Sequence, residues 1–408
     1  MAQQFVIIGA GLAGAKAAQA LRDQGYDGDV VLIGDERHRP YERPPLSKDY
    51  LAGKAERDSV FVHSPEWYGE HRVELRLGAA ATAVDRSARQ VTLDGGGTVG
   101  YHRLLLATGA SPRRLPVPGA DAEGVHYLRR IGDSEAIRST FGGRLVIVGA
   151  GWIGLEVAAA ARQAGSQVTV IEVAELPLLG VLGPQIATVF ADLHRDQGVD
   201  LRLSTQLAEI TTAGGRATGV RLADGTVIDA DAVVIGVGVR PNTDLAEAAG
   251  LTTDNGVLAD ATLRTSDDDV FAAGDVVNAM HPLLGRHIRV EHWANALNQP
   301  ATAAASMLGG TAPYEELPYF YTDQYDLGME YVGYVEPGRY SRVAVRGDTG
   351  AREFVAFWLD DRNCVLAGMN VNVWDVVDPI KALIRSRRPV DPAALADQQT
   401  DLAELATP

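Results

Sequence analysis

Two glycine-rich runs carry the first candidate chemistry. Gly9-Ala10-Gly11-Leu12-Ala13-Gly14 follows an apolar run from Gln4 to Ile8 and opens an alanine-rich helical pattern that reaches about Arg22. In a Gly-x-Gly-x-x-Gly turn the first glycine makes the bend. The second lets the backbone approach a pyrophosphate, and the third packs helix on strand. The helix N-terminus then faces the phosphates with free N–H groups. A second strand, Val30 to Ile33, ends at Asp35 and Glu36, and Asp35 is placed to accept hydrogen bonds from an adenosine ribose. The whole order recurs. Leu145 to Val148 reads as a strand, Gly149-Ala150-Gly151-Trp152-Ile153-Gly154 as the loop, Leu155 to Gln163 as the helix, and Gln167 to Ile171 as the strand ending at Glu172. One such loop also occurs as a simple packing device. Two, each in strand, loop, helix, strand context and each closed by a carboxylate, predict two bound dinucleotides. After Glu172 come Val173, Ala174 and Glu175, with no Lys or Arg to receive a 2′-phosphate, so the second site is expected to prefer NADH to NADPH. The first loop is left for FAD, which supplies an electron acceptor.

The elements that position these loops need a long chain. At 408 residues and about 150 residues per domain, two to three domains are expected. Hydrophobic content of 46% and charged content of 22% are those of ordinary globular domains and exclude wholesale disorder or a coiled coil. With 37 Lys and Arg against 53 Asp and Glu, the net charge of -16 argues against nucleic-acid or anionic-membrane binding. The one cysteine, Cys364, excludes an intramolecular disulfide and a Cys-x-x-Cys redox pair, and fits a reducing cytoplasm. Redox chemistry must therefore use a bound cofactor. No Lys or Arg precedes Lys16, so a secretory leader is not expected. The charge-poor stretch from Leu145 to Ala161 contains Glu156 and is too short to span a membrane.

Further segments resemble a known superfamily. Leu104-Leu105-Leu106-Ala107-Thr108-Gly109, then Gly238-Val239-Arg240-Pro241-Asn242, then Val270-Phe271-Ala272-Ala273-Gly274-Asp275 are similar to the closing motifs of the two-dinucleotide flavoproteins of glutathione-reductase type. Pro40-Tyr41-Glu42-Arg43-Pro44-Pro45-Leu46-Ser47-Lys48 stands where disulfide reductases and peroxidases carry a redox cysteine, and it has none. With Glu291 to Gln299 and Tyr319 to Tyr325, the chain resembles the NADH-dependent ferredoxin reductases that serve cytochrome P450s and Rieske-type oxygenases. The likeness covers residues 3 to 390.

That resemblance implies an α/β fold with two Rossmann-like dinucleotide-binding domains and an α+β C-terminal domain. The FAD domain would be discontinuous, residues 1–112 and 240–314, with an NADH domain at 113–239 and a third domain at 315–408 placed to cover the flavin. It assigns Gly9, Gly11, Ala13, Gly14, Asp35, Arg43, Lys48, Ala81, Arg129, Asp275 and Trp293 to FAD. Gly149, Gly151, Ile153, Gly154, Glu156, Glu172 and Gly238 are assigned to NADH. Lys48 and Glu156 would pair near the isoalloxazine as the catalytic residues. Blander readings stand beside these. Glu156 is expected in a helix first turn, where an acid complements the dipole; Asp275 suits a helix N-cap, and Arg129 a surface cation. Relatives often carry Trp-Phe-Trp-Ser-Asp-Gln where this chain has Tyr319 to Gln324, which makes Tyr321 the aromatic beside flavin and nicotinamide.

The partner implied is a [2Fe-2S] ferredoxin, with a rubredoxin as the other candidate, and the chain a monomer or weak homodimer. Such carriers are acidic. Docking cations are expected at Arg286, His287 and Arg289, or along Lys381, Arg385, Arg387 and Arg388, the latter equally readable as a solvated helix face. His281, His287, Glu291 and His292 match no standard metal spacing, so no metal is expected. Two other classes stay open: an NADH oxidase or peroxidase, which the missing cysteine opposes, and a redox sensor resembling apoptosis-inducing factor. From Tyr314 onward, alternating runs at Arg342 to Val345 and Arg352 to Leu359 predict an antiparallel meander, followed by a helix near Trp374 to Arg385. Residues 391–408 are expected to be mobile.

Overall fold

The computed structural model describes residues 3–406. Packing divides the chain into two units. The first comprises Met1–Arg43, Glu56–Ser111 and Val239–Pro318; the second comprises Pro44–Ala55, Pro112–Gly238 and Tyr319–Pro408. The segment carrying Lys48 thus leaves the half that holds the first glycine loop. The C-terminal residues pack in one unit with the second loop.

The first unit is built on a five-stranded parallel sheet in the order Val270–Ala272, Arg103–Leu106, Gln4–Ile8, Asp29–Gly34, Val73–Leu77. Its central strands are Val, Ile and Leu runs buried on both faces, as parallel strands covered by helices must be. The helix Leu12–Asp23 buries Ala13, Ala15, Ala17, Ala18 and Ala20. Side chains this small let it pack close to a second alanine-rich helix, Trp293–Met307.

The second unit repeats the device. Its parallel sheet runs Asp200–Arg202, Gln167–Ile171, Arg144–Val148, Ala232–Ile235, Val125–Tyr127. The expected helix after the second loop begins at Trp152 rather than Leu155. Tyr319–Gln324, Leu327–Gly333, Val365–Val371, Glu353–Leu359 and Arg342–Asp348 form the antiparallel meander in that spatial order. The following helix starts at Val377, and Trp374 lies before it, about half exposed. It seats Ile380 against Gly368, where a Cβ would come within 2.5 Å of the isoleucine.

The expected mobility of the C-terminal stretch is not what the fold shows. Pro392–Ala396 and Leu402–Ala406 are short helices that bury Leu395 and Leu402. Arg346 of the meander donates to the carbonyls of Gln398 (3.0 Å) and Thr400, satisfying backbone that the sequence alone leaves without partners.

His194, on the helix Leu179–Asp196, is fully buried, and burial pulls its pKa down to about 4. An unfolded chain protonates this imidazole near pH 6.5 while the folded one refuses the proton. Stability is therefore complete above pH 6.5 and falls as pH drops from 6.5 towards 4, by about 1 kcal/mol per pH unit for such a histidine. Urea unfolding midpoints at pH 7.5, 6 and 5 are expected to fall in that order, and less steeply in His194→Gln. Equal slopes in the two proteins would show that His194 is not the group responsible.

Candidate functional site

The glycines of the two loops divide into two kinds. Gly9 and Gly149 have φ of +117° and +102°, and a Cβ on either would lie 2.0 or 2.4 Å from a facing carbonyl oxygen, Ala107 or Gly236. On Gly14 and Gly154 a Cβ would lie 2.0 and 2.1 Å from the oxygens of Gly9 and Gly149. These four are demanded by the fold itself. Gly11 and Gly151 are not. Both have extended backbone open to any residue (φ -94° and -80°), and a Cβ on either meets no protein atom within 4 Å. The space they leave opens outwards at a helix N-terminus whose first turn contains no acid. That is the geometry a pyrophosphate requires.

In the first unit a cavity of about 370 Å³ lies against this loop, lined by Gly9, Asp35, Ala81, Thr108 and Asn242 among others. It brings Asp35 and Ala81 together as the sequence reading expects. Thr108 and Asn242 close its rim by exchanging hydrogen bonds of 2.9 and 2.7 Å, and Ser111 donates to Asn242 Oδ1 at 2.7 Å. Gly274 packs beside Ala13, where a Cβ would be 3.0 Å from the alanine methyl, and its N–H donates to Gln299 Oε1 at 2.8 Å. Asp275 is the second residue of a 3₁₀ turn capped by Ala273, so the N-cap reading does not hold. Arg43 lies over the Tyr41 ring and faces Glu36 and Asp275. The Trp293 indole donates to Glu42 Oε2 at 3.0 Å, which orients the ring at the start of its helix.

In the second unit Glu172 accepts from the N–H groups of Ala150 (2.7 Å) and Ala174 (2.9 Å), fixing a carboxylate beside the loop where a ribose would sit. Ile153 is 43% exposed, and Gly238 takes φ +91° while its carbonyl accepts from Arg113 N–H. Arg129, half-buried, precedes the helix Ile131–Arg138, its own N–H donating to Asp133 at 3.0 Å and its guanidinium Nε enclosed.

The charged centre of this unit is Lys48 and Glu156, with Nζ 2.8 Å from Oε1 and side-chain exposures of 14% and 3%. Glu156 is the fifth residue of its helix, not in the first turn. The dipole therefore does not explain it, since that effect fades within one turn. What holds it is direct donation, from Lys48, from Thr322 Oγ1 at 2.6 Å and from Ser47 Oγ. Lys48 Nζ also stands 5.4 Å from the centroid of Tyr321. Burial raises the pKa of the neighbouring Asp323, and Lys48 opposes that rise. Ser47 and Thr322 lie within the segments quoted above, but nothing in their spacing marks them as partners of Glu156.

Of the expected docking cations, Arg289 is turned inwards. It is only 10% exposed and donates to Glu291 at 2.6 Å and to the carbonyl of Asp275. Arg385, Arg387 and Arg388 are exposed, and Lys381 faces Asp378 at 3.6 Å. Cys364 is buried and donates through Sγ to the Arg387 carbonyl, with burial pushing its thiol pKa up, so it is not a redox cysteine. No helix among the described residues is long and apolar enough to cross a membrane.

Two parallel dinucleotide-type folds, each with a loop glycine that the fold itself does not require, and a largely enclosed lysine beside an aromatic define an oxidoreductase of the two-nucleotide class. The chain belongs to the pyridine nucleotide-disulphide oxidoreductase family, whose model matches residues 3–300, with a reductase C-terminal domain at 319–406. It is 42% identical to the anthranilate 1,2-dioxygenase system ferredoxin–NAD(+) reductase component of Burkholderia cepacia, over 98% of both chains. Rhodocoxin reductase of Rhodococcus erythropolis is 40% identical over 98% of this chain and 93% of its own. The covalent putidaredoxin reductase–putidaredoxin complex superposes with a TM-score of 0.95 at 38% identity, covering 99% of this chain and 98% of the other.

Proposed function

We propose that this chain oxidises NADH through a bound FAD and passes the electrons singly to an iron–sulfur protein, a [2Fe-2S] ferredoxin first and a rubredoxin second, that feeds an oxygenase. The observation that carries the reading is the pair Gly11 and Gly151: the fold has no use for a glycine at either place, and a dinucleotide at each has. When bound, FAD accepts hydride from NADH and releases electrons one at a time.

The residues divide the work. Gly9 to Gly14, Asp35 and Ala81 bind the adenosine and pyrophosphate end of FAD, Asp275 holds its ribityl chain, and Arg43 and Trp293 flank the cofactor. Gly149 to Gly154 and Glu172 bind NADH, with Glu172 accepting from the ribose and disfavouring a 2′-phosphate. Lys48 holds positive charge at the isoalloxazine. Glu156 keeps that cation in place, and Tyr321 provides an aromatic face in its reach. With its only cysteine buried, the chain has no thiol route for electrons. The exposed arginines at 385–388 offer the docking surface for an acidic carrier. The chain works as a monomer or weak homodimer, and a single buried cysteine suits a reducing cytoplasm.

The test is rapid mixing of NADH-reduced, FAD-loaded protein with a panel of [2Fe-2S] ferredoxins and rubredoxins. At least one is expected to reoxidise the protein much faster than air does. Equal rates with every carrier and with oxygen alone would replace this reading by that of an oxidase, and a long-lived reduced complex that no carrier discharges would replace it by that of a sensor.

A further inference from the structure

Three buried polar groups of the second unit that the proposed reaction does not use, Thr322, Gln324 and His194, form one line, and it ends on Glu156. Thr322 Oγ1, which donates to Glu156 Oε1 at 2.6 Å, stands 3.2 Å from Gln324 Nε2. Gln324 Oε1 lies 2.9 Å from His194 Nε2, and His194 Nδ1 lies 3.5 Å from the hydroxyl of Tyr325, a half-buried turn residue. Glu156, Thr322, Gln324 and His194 are each no more than 4% exposed. They come from the helices Trp152–Gln163 and Leu179–Asp196 and from the strand Tyr319–Gln324, which are distant in sequence. Polar groups buried this deep and this close to one another are paired, and the pairing gives the line a direction.

That direction follows from counting donors. An ionised Glu156 only accepts, so the single proton of Thr322 goes to it. Thr322 oxygen then accepts from the amide NH₂ of Gln324, whose carbonyl must accept from His194. His194 is thereby the Nε2–H tautomer, with Nδ1 left to accept from Tyr325. Reversing any member would turn the Thr322 proton away from the carboxylate and leave it short of a donor. Burial, which keeps His194 neutral, agrees with this pattern. Donation from Thr322 orients the Glu156 carboxylate, and the oriented carboxylate is what fixes Lys48.

We propose that His194, Gln324 and Thr322 are positioning residues, a line of hydrogen bonds polarised towards Glu156 that holds it as a carboxylate aligned on Lys48 and so sets the charge presented to the flavin. This rests on the reading of Lys48 and Glu156 as the pair beside the isoalloxazine.

Two measurements test it on FAD-loaded protein. The first is ¹⁵N NMR of the histidine side chains. His194 is expected as the Nε2–H tautomer, and an Nδ1–H tautomer in the unmutated protein overturns the proposal without any variant. The second is the equilibrium of the bound flavin with a redox dye. Thr322→Val and Gln324→Leu remove a link with little change of volume. Each is expected to shift the ratio of reduced to oxidised flavin about tenfold towards reduced, ~30 mV for a two-electron couple, because a Glu156 carboxylate no longer aligned by the line leaves Lys48 less compensated. Thr322→Ser is expected to restore the ratio. In a Glu156→Gln background the Thr322→Val shift is expected to vanish. If Glu156→Gln itself moves nothing, the underlying reading falls and this proposal with it. If Glu156→Gln moves the equilibrium but the line variants do not, or if their shift persists without the carboxylate, the line alone is overturned.

Discussion

Lys48→Met is expected to cost the folded protein about 3 to 5 kcal/mol and to lower its unfolding midpoint accordingly. The reason is the state of what remains. Glu156 is 3% exposed on a helix that also buries Leu155, Val157 and Ala158, so water cannot replace the lost ammonium. Ser47 and Thr322 continue to donate, but two neutral hydroxyls compensate a buried charge less than a cation at 2.8 Å does. The converse variant, Glu156→Leu, leaves Lys48 facing an apolar side chain and is expected to lose a similar amount. The double variant Lys48→Met with Glu156→Leu is expected to recover most of it, since a well-packed apolar pair often matches a buried ion pair in stability. Saturating FAD has to be present in all four proteins, because a ligand bound only by the native state adds its own stabilisation. Near-additive losses, with the double variant the least stable of the four, would show that the two charges do not depend on each other. The recovered double variant is also informative about function. It should fold and bind FAD yet accept hydride from NADH slowly, because stability can be rebuilt from apolar contacts and a positive charge at the flavin cannot.

What could be read before folding was whatever is local in the chain. The two glycine loops, their strands and the carboxylates Asp35 and Glu172 lie within about thirty residues of one another in each copy, and their spacing alone carries the geometry. Glu156 was legible as a residue but not as an environment. The sequence pattern places its helix start at Leu155, but the helix starts at Trp152, so the carboxylate lies beyond the first turn and outside the reach of the helix dipole. Its true partners are separated from it by 109 residues (Ser47) and 166 residues (Thr322), and no spacing rule reaches that far. The order of the C-terminal stretch is illegible in the sequence for the same reason. It is rich in Ala and Asp, and what orders it besides the buried Leu395 and Leu402 is Arg346, donating to its backbone from a strand some fifty residues earlier. Arg289 shows the reverse error. A cation beside the Trp293 segment suggested a docking charge, but Glu291 two residues away and the Asp275 carbonyl claim its guanidinium.

The largest functional effect is expected from substitutions that the unliganded fold tolerates. Gly11→Val places its side chain in extended backbone with no protein atom within 4 Å of the new Cβ, so the protein should fold with its stability without cofactor almost unchanged. The methyl groups would occupy the space a pyrophosphate needs against the helix N-terminus. FAD binding is expected to weaken by a hundredfold or more, about 3 kcal/mol, and the purified protein should be colourless. Gly151→Val is the matched experiment at the other loop: FAD retained, protein yellow, and NADH no longer reducing it at ordinary concentrations. Gly14→Val and Gly154→Val control for the loops themselves. There a Cβ would lie 2.0 and 2.1 Å from a backbone oxygen, so these variants should lose stability before any question of ligand arises. Isothermal titration of FAD into apoprotein, with circular dichroism beside it, separates the outcomes. If Gly11→Val binds FAD as tightly as the parent, the pyrophosphate does not lie over the first loop and the assignment of the two dinucleotides fails. If Gly11→Val loses FAD and Gly151→Val keeps it, each loop has been given its own ligand by a glycine the protein alone does not need.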